Sequence, residues 1–462
     1  MTPVQLQSMR VESMRVLREY EPSRFLRESA RHASLAVGGG LRAACFGLAL
    51  VIATLRVVGA ADPEAVNAAP KWWKGNLHTH TLWSDGDDFP EMVATWYREH
   101  DYHFLALSDH NIFASGKRWI AEEEVIKRGG DQVIETYLER FGPAWVERRT
   151  RDKTAEIRLK PFDEFRCLVE ERGRFLMIPG EEISDRVAGK PLHINASNIE
   201  EAIQPVGGET VAEAIQANLR AVQDQAERAG REILAHLNHP NFGWGVTAAD
   251  LAQATLERHV EVFNGHPGVN QRGDKNHPSV ETLWDIANTI RLDDLRAAPL
   301  FGVATDDCHN YHAAGKEGKF SRPGRGWVMV QAAHLTPEKV IESLREGEFY
   351  ASTGITLTQC EYDPESQVIS LTIEPDDDAT FTTRFIASFP KGDAEAPRVG
   401  VEVGRVEGLA AEYRLTGEEL YVRAVVTSSQ PPQDPVWPEQ RAEAWTQPVG
   451  WRHRLAGAVS AE

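Results

Sequence analysis

Two histidines one residue apart, His78 and His80, open residues 75–111, a stretch rich in potential metal ligands. Alternate side chains of a β-strand point to the same face, so these two imidazoles can bind one cation from a rigid element. Asp85 adds a carboxylate oxygen, and His110 follows a second apolar run. An isolated His-x-His pair is more often chance than a ligand pair, so the case for a metal site depends on what later segments supply.

Further residues of ligand type lie at or near the ends of later apolar runs. They are Glu181, Glu182, His193, His236, His239, Glu261, Asn264, Asp306, Asp307 and His309. In a barrel of parallel strands the carboxyl ends meet at one mouth, where catalytic groups lie. Each signal is weak alone, because Asp and His are also common in turns. Their repeated position at strand ends predicts one metal site built from distant parts of the chain.

The apolar runs alternate with helical patterns, which is typical of a parallel α/β fold. Strands are predicted at 76–81, 104–109, 175–179, 192–196, 232–238, 259–264 and 301–305. The clearest helix between them spans 209–229, where apolar residues recur on one face. A chain of 462 residues is too long for one ordinary core, so we expect two domains and a tail.

The order of the motifs resembles the PHP family, which is named for polymerase and histidinol phosphatase. HxH…SDG, SDH, Gly-x-Glu, His, His-Pro and Asp-x-His occur in the family's order within residues 75–310. The resemblance implies a distorted (β/α)7 TIM-like barrel that binds two or three divalent metal ions. Imidazoles and carboxylates without a thiolate suit Mn²⁺, Zn²⁺ or Fe²⁺ better than Ca²⁺ and leave the choice among these three open.

The resemblance also assigns ligands to three metal positions. The first metal would be held by His78, His80, Glu182 and Asp307, the second by Glu182, His193 and His239, and the third by Asp85, His110 and His309. The spacing within each motif selects Glu182 over Glu181, Asp307 over Asp306 and His239 over His236. The neighbours that are not selected are expected to pack or to hydrogen-bond around the ligands.

Cations at such a site would make hydrolytic chemistry available. A water that bridges two of them ionises near neutral pH, because a bound metal lowers its pKa to about 7. The resulting hydroxide can attack a phosphate mono- or diester, with Glu182 bridging the metals and Asp307 accepting the proton of the attacking water. A carbamate, ester or amide hydrolase would use the same nucleophile. A third hypothesis, a non-catalytic binding module, is disfavoured by the complete ligand set.

Charge limits the classes of partner. Asp and Glu number 69 against 50 Lys and Arg, which argues against an extended nucleic-acid surface. A small-molecule or phosphoester substrate is expected instead. Cationic candidates for phosphate binding are Arg186, Lys190, Arg272 and Lys275, and for each of them a solvated surface position is the commoner role. Asp109 is expected either to orient a histidine or to cap a turn.

The N-terminal segment has the pattern of an exported protein. Arg42 precedes an apolar run at 44–55, and small residues follow it. We therefore predict an N-terminal extension at 1–61 with a secretory signal peptide near 42–61, and export to the periplasm or the cell exterior. An N-terminal membrane anchor is the alternative, although the apolar run is short for a stable membrane span.

A change in the pattern of predicted elements divides the remaining chain into two parts. We expect the barrel to span 71–350 and to contain a helical insertion at 113–165, which is either a lid over the site or a surface elaboration. Short alternating strands predict a small C-terminal antiparallel β-sandwich domain at 355–452, and residues 444–448 are expected to fold back onto the barrel. The four cysteines include no CxxC pair, so neither a zinc finger nor a disulfide scaffold is expected.

Overall fold

The computed structural model describes residues 69–316, 318–392 and 396–456. The predicted signal peptide near 42–61 lies outside these ranges, so it stays a prediction. No helix among the described residues has the length and apolar character needed to cross a bilayer.

The described residues form a mixed α/β structure in which strands outnumber helices. The strands are β1 Lys71–Asn76, β2 Phe104–Ala106, β3 Arg118–Ala121, β4 Arg148–Arg151, β5 Thr154–Leu159, β6 Leu176–Ile178, β7 Gly180–Val187, β8 Lys190–Ser197, β9 Leu234–Leu237, β10 His259–Asn264, β11 Phe301–Thr305, β12 Trp327–Ala332, β13 Phe349–Ser352, β14 Leu357–Asp363, β15 Val368–Ile373, β16 Phe381–Phe389, β17 Arg398–Glu407, β18 Ala410–Arg414, β19 Tyr421–Ser428 and β20 Glu443–Thr446. The helices are α1 Pro90–Glu99, α2 Glu122–Gly129, α3 Val133–Phe141, α4 Phe162–Val169, α5 Val211–Ala229, α6 Ala248–Gln253, α7 Val280–Asp293, α8 Pro337–Glu346 and α9 Arg452–Ala456.

Four sheets are formed within the described ranges. Their strand orders are β17-β16-β19-β20-β13-β12-β1-β2-β6, β11-β10-β9-β8-β7, β14-β15-β18 and β3-β5-β4. Strands β1, β2 and β6 run parallel to one another, and so do β9, β10 and β11. An isolated parallel bridge between Thr79 and Cys308 shows that the carboxyl ends of the two groups meet.

The α/β class is confirmed, but a closed (β/α)7 barrel is not found among the described residues. The strand predicted at 192–196 lies in β8, which is antiparallel to both of its neighbours, β7 and β9. The cause is the connection between β7 and β8, where Ala188 and Gly189 have φ of 49° and 80°. A two-residue turn with both central residues at positive φ joins strands as an antiparallel hairpin, so no helical crossover lies between them.

One sheet continues from the predicted barrel into the predicted C-terminal β domain. Strand β13 pairs with β12 on one side and with β20 on the other, so the boundary near residue 350 lies within that sheet. The sheet β14-β15-β18 packs over its C-terminal strands, with Leu371 and Phe385 buried in the shared core. The division into 71–350 and 355–452 stays a prediction. Residues 444–448 do pack back, since Gln447 exchanges hydrogen bonds of 2.7 and 2.9 Å with the backbone of Gly302.

The insertion at 113–165 contains more strand than predicted. Helices α2 and α3 are accompanied by β3, β4 and β5, which form a separate three-stranded sheet. A buried carboxylate of α1 anchors this segment, because Glu91 Oε1 accepts hydrogen bonds from Tyr137 OH at 2.6 Å and from Trp145 Nε1 at 2.8 Å. The insertion is therefore packed firmly against the rest of the fold.

Candidate metal centre

Backbone pairing brings the ligand-bearing strand ends side by side. Asp307 N donates a hydrogen bond to His78 O at 3.0 Å, which holds the segment after β11 against the segment after β1. Glu182 on β7 forms an isolated parallel bridge with His110, which follows β2. The nine predicted ligands consequently lie in one connected cluster, in which each of them is close to at least one other.

Four buried side chains, His78, His80, Glu182 and Asp307, form what we call the inner group. His78 Nε2 lies 3.2 Å from His80 Nε2, and Asp307 Oδ1 lies 3.3 and 3.1 Å from these two nitrogens. The carboxylate of Glu182 lies 3.5 Å from His78 Nε2 and 3.6 Å from His80 Nε2. These four residues are the predicted ligands of the first metal, and the structure places them together.

Glu182 also reaches the predicted ligands of the second metal. Its Oε1 lies 2.9 Å from His193 Nδ1 and 3.5 Å from His239 Nε2. Its Oε2 lies 2.6 Å from His110 Nδ1, a contact that the resemblance did not imply. The two short contacts, at 2.6 and 2.9 Å, do not have hydrogen-bond geometry, so the buried atoms Glu182 Oε2 and His193 Nδ1 have no hydrogen-bond partner among the described residues. Buried polar atoms of this kind require compensation, and a cation shared by nitrogen and oxygen ligands would provide it.

Asp85, His110 and His309, the predicted ligands of the third metal, form what we call the outer group. Asp85 Oδ1 lies 3.3 Å from His309 Nε2, and Asp85 Oδ2 lies 3.5 Å from His110 Nε2. His80 Nδ1 lies 3.7 Å from Asp85 Oδ1 and links this group to the inner one. The Asp85 side chain is 55 % exposed, whereas that of Asp307 in the inner group is 6 % exposed. The cluster therefore opens to solvent on the side of the outer group.

The distances within the cluster fit ligands that share cations. Metal–ligand bonds of about 2.1 Å place neighbouring ligand atoms about 3.0 Å apart in octahedral geometry and about 3.4 Å apart in tetrahedral geometry. The contacts within the inner and outer groups run from 3.1 to 3.6 Å. Several overlapping sets of three or four His, Asp and Glu residues here can hold a metal ion. The donor types suit Mn²⁺, Zn²⁺ or Fe²⁺ equally.

Burial and mutual charge shift the protonation of the cluster. Burial lowers the pKa of His78, but Asp307 and the other nearby carboxylates outweigh it, so the pKa is well above its usual value. Burial raises the pKa of Asp307, but His78 and the neighbouring imidazoles hold it well below its usual value. Burial, together with the adjacent His309, lowers the pKa of His80 to about 3. An ionised carboxylate and a neutral imidazole are the forms that bind metal.

Glu261, in the middle of β10, is a residue of ligand type that the sequence analysis did not assign to a metal. Its Oε1 accepts a hydrogen bond from His78 Nδ1 at 2.7 Å, which leaves Nε2 of that ring free to face the inner group. Its Oε2 accepts from His239 N at 2.7 Å and from Asn264 Nδ2 at 2.8 Å. Asn264 in turn donates to Asp307 Oδ2 at 3.1 Å. Glu261 thus orients His78 and His239 directly and Asp307 through Asn264, and its position near the end of an apolar run was the available signal.

The neighbours that motif spacing set aside lie around the ligands, as expected. Asp306 accepts a hydrogen bond from Tyr97 OH at 2.8 Å. Glu181 is buried and accepts one from a backbone N–H, while burial raises its pKa to about 8. His236 is buried with its Nε2 3.6 Å from Glu261 Oε1. All three residues thus pack or form polar contacts beside the predicted ligands.

Asp109 caps a turn, and within the described ranges it makes no direct hydrogen bond to a histidine. Its Oδ1 accepts hydrogen bonds from Thr81 N at 2.8 Å and from Ser84 N at 3.0 Å. These bonds shape the loop that follows the two histidines of the opening motif. Of the two roles expected for Asp109, the structure supports the cap.

The cationic candidates for phosphate binding are all exposed, namely Arg186, Lys190, Arg272 and Lys275. Arg186 Nη1 donates a hydrogen bond to Gly189 O at 2.8 Å, within the hairpin that carries it. The guanidinium of Arg272 lies 5.6 Å from the centre of the Trp437 ring. These positions agree with the surface role that was the alternative.

Comparisons with known proteins find similar solved structures but no matching family model or curated sequence. No protein-family model matches the chain, and no curated protein sequence does. Among solved structures, the chain is similar to a two-domain protein from Bacteroides vulgatus that contains a predicted PHP-like metal-dependent phosphoesterase, at 13 % identity and a TM-score of 0.36, over 82 % of this chain and 97 % of that one. It is also similar to a candidate metal-dependent phosphoesterase from Bifidobacterium adolescentis, at 13 % identity and a TM-score of 0.28, over 54 % of this chain and 94 % of that one. At these identities and TM-scores the function has to be argued from this chain's own residues.

Proposed function

We propose that this chain is a metal-dependent hydrolase of the PHP type that acts on a phosphate mono- or diester. The observation that carries the proposal is the convergence of His, Asp and Glu side chains, from distant segments, into overlapping sets able to hold metal ions. A cluster with this many ligands and an opening to solvent on one side is suited to catalysis more than to structural metal binding.

The inner group, the outer group and the pair His193 and His239 would hold the cations, and Glu182 would be shared between the inner group and that pair. Divalent cations at these positions make an ionised water available near neutral pH and neutralise charge on phosphate oxygens. Asp307 Oδ1 faces both inner-group imidazoles, so its carboxylate is placed to accept the proton of the attacking water. The backbone of Asp307 has a φ of 49°, a conformation that favours glycine, and such strain often accompanies functional positions.

The substrate would approach on the side of the outer group. The Asp85 side chain is 55 % exposed there, whereas the inner group is closed to solvent. A small phosphoester can reach this opening, and the acidic net charge of −19 disfavours an extended nucleic-acid partner. We also propose that the chain is exported, on the strength of the signal pattern near 42–61.

One observation favours the second candidate function, hydrolysis of a carbamate, ester or amide. The Phe242 ring centre lies 5.1 Å from that of His239 and 6.2 Å from that of His193. An apolar ring thus adjoins the centre, while the four cationic candidates for phosphate binding are exposed. An uncharged substrate with an aromatic leaving group would fit such a surface.

The test compares p-nitrophenyl phosphate, bis-p-nitrophenyl phosphate and an aryl carbamate as substrates of the Mn²⁺- and Zn²⁺-loaded protein. We expect metal-dependent turnover of a phosphate ester that is lost in His80→Ala. Turnover of the carbamate alone would replace the phosphoesterase proposal by the second candidate. Metal binding without any turnover would favour a binding module, and a failure to bind metal after reloading would refute both enzyme proposals.

A further inference from the structure

The insertion contacts the loop that carries Asp85. We call residues 81–88 the Asp85 loop. Arg128, in the last turn of α2, donates through Nη1 to Ser84 O at 2.5 Å and to Gly86 O at 3.5 Å. The two carbonyl groups flank Asp85 in the sequence, so one guanidinium contacts the backbone on both sides of this ligand.

Two further contacts hold the same loop against the insertion. The buried Trp83 donates through Nε1 to Lys160 O at 3.1 Å. At Gly129 the backbone of α2 approaches so closely that a Cβ atom there would lie 2.5 Å from Asp87 O. Because Glu91 anchors the insertion to α1 through buried hydrogen bonds, it is a firm support for the loop.

Asp85 depends on this support more than the other carboxylate ligands do. Its side chain is 55 % exposed, whereas those of Glu182 and Asp307 are 1 % and 6 % exposed and packed on all sides. The loop also positions a second outer-group ligand, since Asp87 N donates to His309 O at 3.0 Å. The conformation of the loop backbone therefore sets the geometry of the outer group.

We propose that Arg128 is a positioning residue, which holds the Asp85 loop so that the outer group can bind a divalent cation. The inference rests on the metal-binding part of the proposed function and not on the identity of the substrate. Arg128 Nη1 contacts both carbonyl oxygens while Nε donates to Glu124 Oε1 at 2.8 Å, so α2 holds the planar guanidinium in a fixed direction toward the loop. The ammonium of a lysine is a single flexible donor group and cannot make both sets of bonds from one rigid plane. The insertion thereby affects the geometry of the metal centre through hydrogen bonds to the backbone of the Asp85 loop.

The experiment measures metal binding by the full chain and its Arg128→Ala, Arg128→Lys and Lys127→Ala variants. Lys127 is the matched control, because it lies on the same helix, carries the same charge and pairs with Glu124 as Arg128 does. Each protein is stripped, titrated with Mn²⁺ and analysed for bound metal per chain, and its thermal unfolding is recorded. Loss of a residue that orients a metal ligand weakens binding roughly 10- to 100-fold.

We expect Arg128→Ala to weaken only the weakest class of Mn²⁺ sites by roughly 10-fold or more, with the tighter class and the unfolding temperature unchanged. Arg128→Lys should lie between it and the wild type, and Lys127→Ala should match the wild type. Equal binding by Arg128→Ala and the wild type would overturn the proposal. So would a uniform loss at all sites or an equal effect of Lys127→Ala. If Arg128→Ala unfolds, Arg128→Lys decides the matter by the same readout.

The outcome is separable from that of the proposed function. A wild-type chain that binds metal but hydrolyses none of the esters would refute the proposed function and leave this inference intact if Arg128→Ala loses the weak site. If the wild-type chain hydrolyses a phosphate ester and Arg128→Ala still binds every ion, the proposed function stands and this inference is refuted. A wild-type chain that binds no Mn²⁺ would refute both.

Discussion

Replacing Glu261 by glutamine tests whether the centre depends on a residue outside the nine predicted ligands. Oε1 of Glu261 accepts hydrogen bonds from His78 Nδ1 at 2.7 Å and from Thr305 Oγ1 at 2.6 Å. Oε2 accepts from His239 N at 2.7 Å and from Asn264 Nδ2 at 2.8 Å. Glutamine keeps the shape of the side chain, but its NH2 group is a hydrogen-bond donor. Whichever carboxylate oxygen the NH2 group replaces, it faces two donor groups that have then lost their acceptor.

Both orientations of the glutamine damage the centre. If its NH2 group faces His78, Nδ1 of that ring has to become an acceptor, and the proton moves to Nε2, which then cannot bind a metal. If the NH2 group faces the other way, the backbone N–H of His239 loses its acceptor. Hydrogen bonds to a charged group contribute about 1.5–3 kcal/mol each, so the loss of two costs about 3 kcal/mol or more of unfolding free energy. Metal binding should weaken roughly 10- to 100-fold.

The assay combines Zn²⁺ or Mn²⁺ titration of the metal-free chain with urea unfolding. Glu257→Gln is the matched control, since Glu257 is buried before the start of the same strand, where burial raises its pKa to about 7. Its carboxylate accepts from the backbone N–H of Arg258 and of His259, which an amide oxygen also can do. Wild-type metal affinity in Glu261→Gln, or an equal loss in Glu257→Gln, would refute the reasoning.

Other predictions concern pH, metal release and export. Burial raises the pKa of Glu91 to about 7 from 4.5, so its contribution to stability is complete below about pH 4.5 and is lost as the pH rises through 7, by up to roughly 3 kcal/mol. Glu91→Gln should remove this decline, and urea unfolding near pH 5 and near pH 8 measures it; an unchanged pH profile would contradict the assignment. A mild chelator should release metal from the outer group first. Asp85→Asn, which alters the exposed ligand of that group, should bind one ion fewer per chain by elemental analysis. An unchanged number of bound ions in this variant would contradict a metal site at the outer group. Expression of the complete chain in a bacterial host should give a mature protein that begins near residue 62 by intact mass, and a secreted chain of full length would contradict a cleaved signal.

Local patterns predicted which side chains lie together, because metal-binding motifs are short and tie each residue type to a strand end. His78 and His80 lie on one face, and motif spacing distinguished Asp307 from Asp306, which instead accepts a hydrogen bond from the hydroxyl of Tyr97. The role of Glu261 was not accessible in this way. Its four partners come from distant segments, and no local pattern separates a carboxylate that binds metal from one that orients a ligand.

The direction of β8 and the extent of the large sheet were also beyond local patterns. The alternation of strands and helices predicted a parallel arrangement, but the turn at Ala188 and Gly189 reverses the chain within two residues. The pairing of β13 with β20 joins segments about ninety residues apart, and such long-range pairing depends on the packed side chains of both. A change of pattern to short alternating strands suggested a boundary near residue 350, where the structure has continuous hydrogen bonding.

The inner and outer groups differ in burial and in the residues that orient them. The inner group is buried and is oriented by Glu261 from inside the fold, so its geometry is fixed by the same interactions that stabilise the core. The outer group lies at the surface, and its most exposed ligand, Asp85, is held through its backbone by Arg128 of the insertion. A substrate that displaces water has to arrive on that open side, where a cation is also most readily exchanged. Tight metal binding should therefore depend on residues such as Glu261, and occupancy of the exposed position on Arg128.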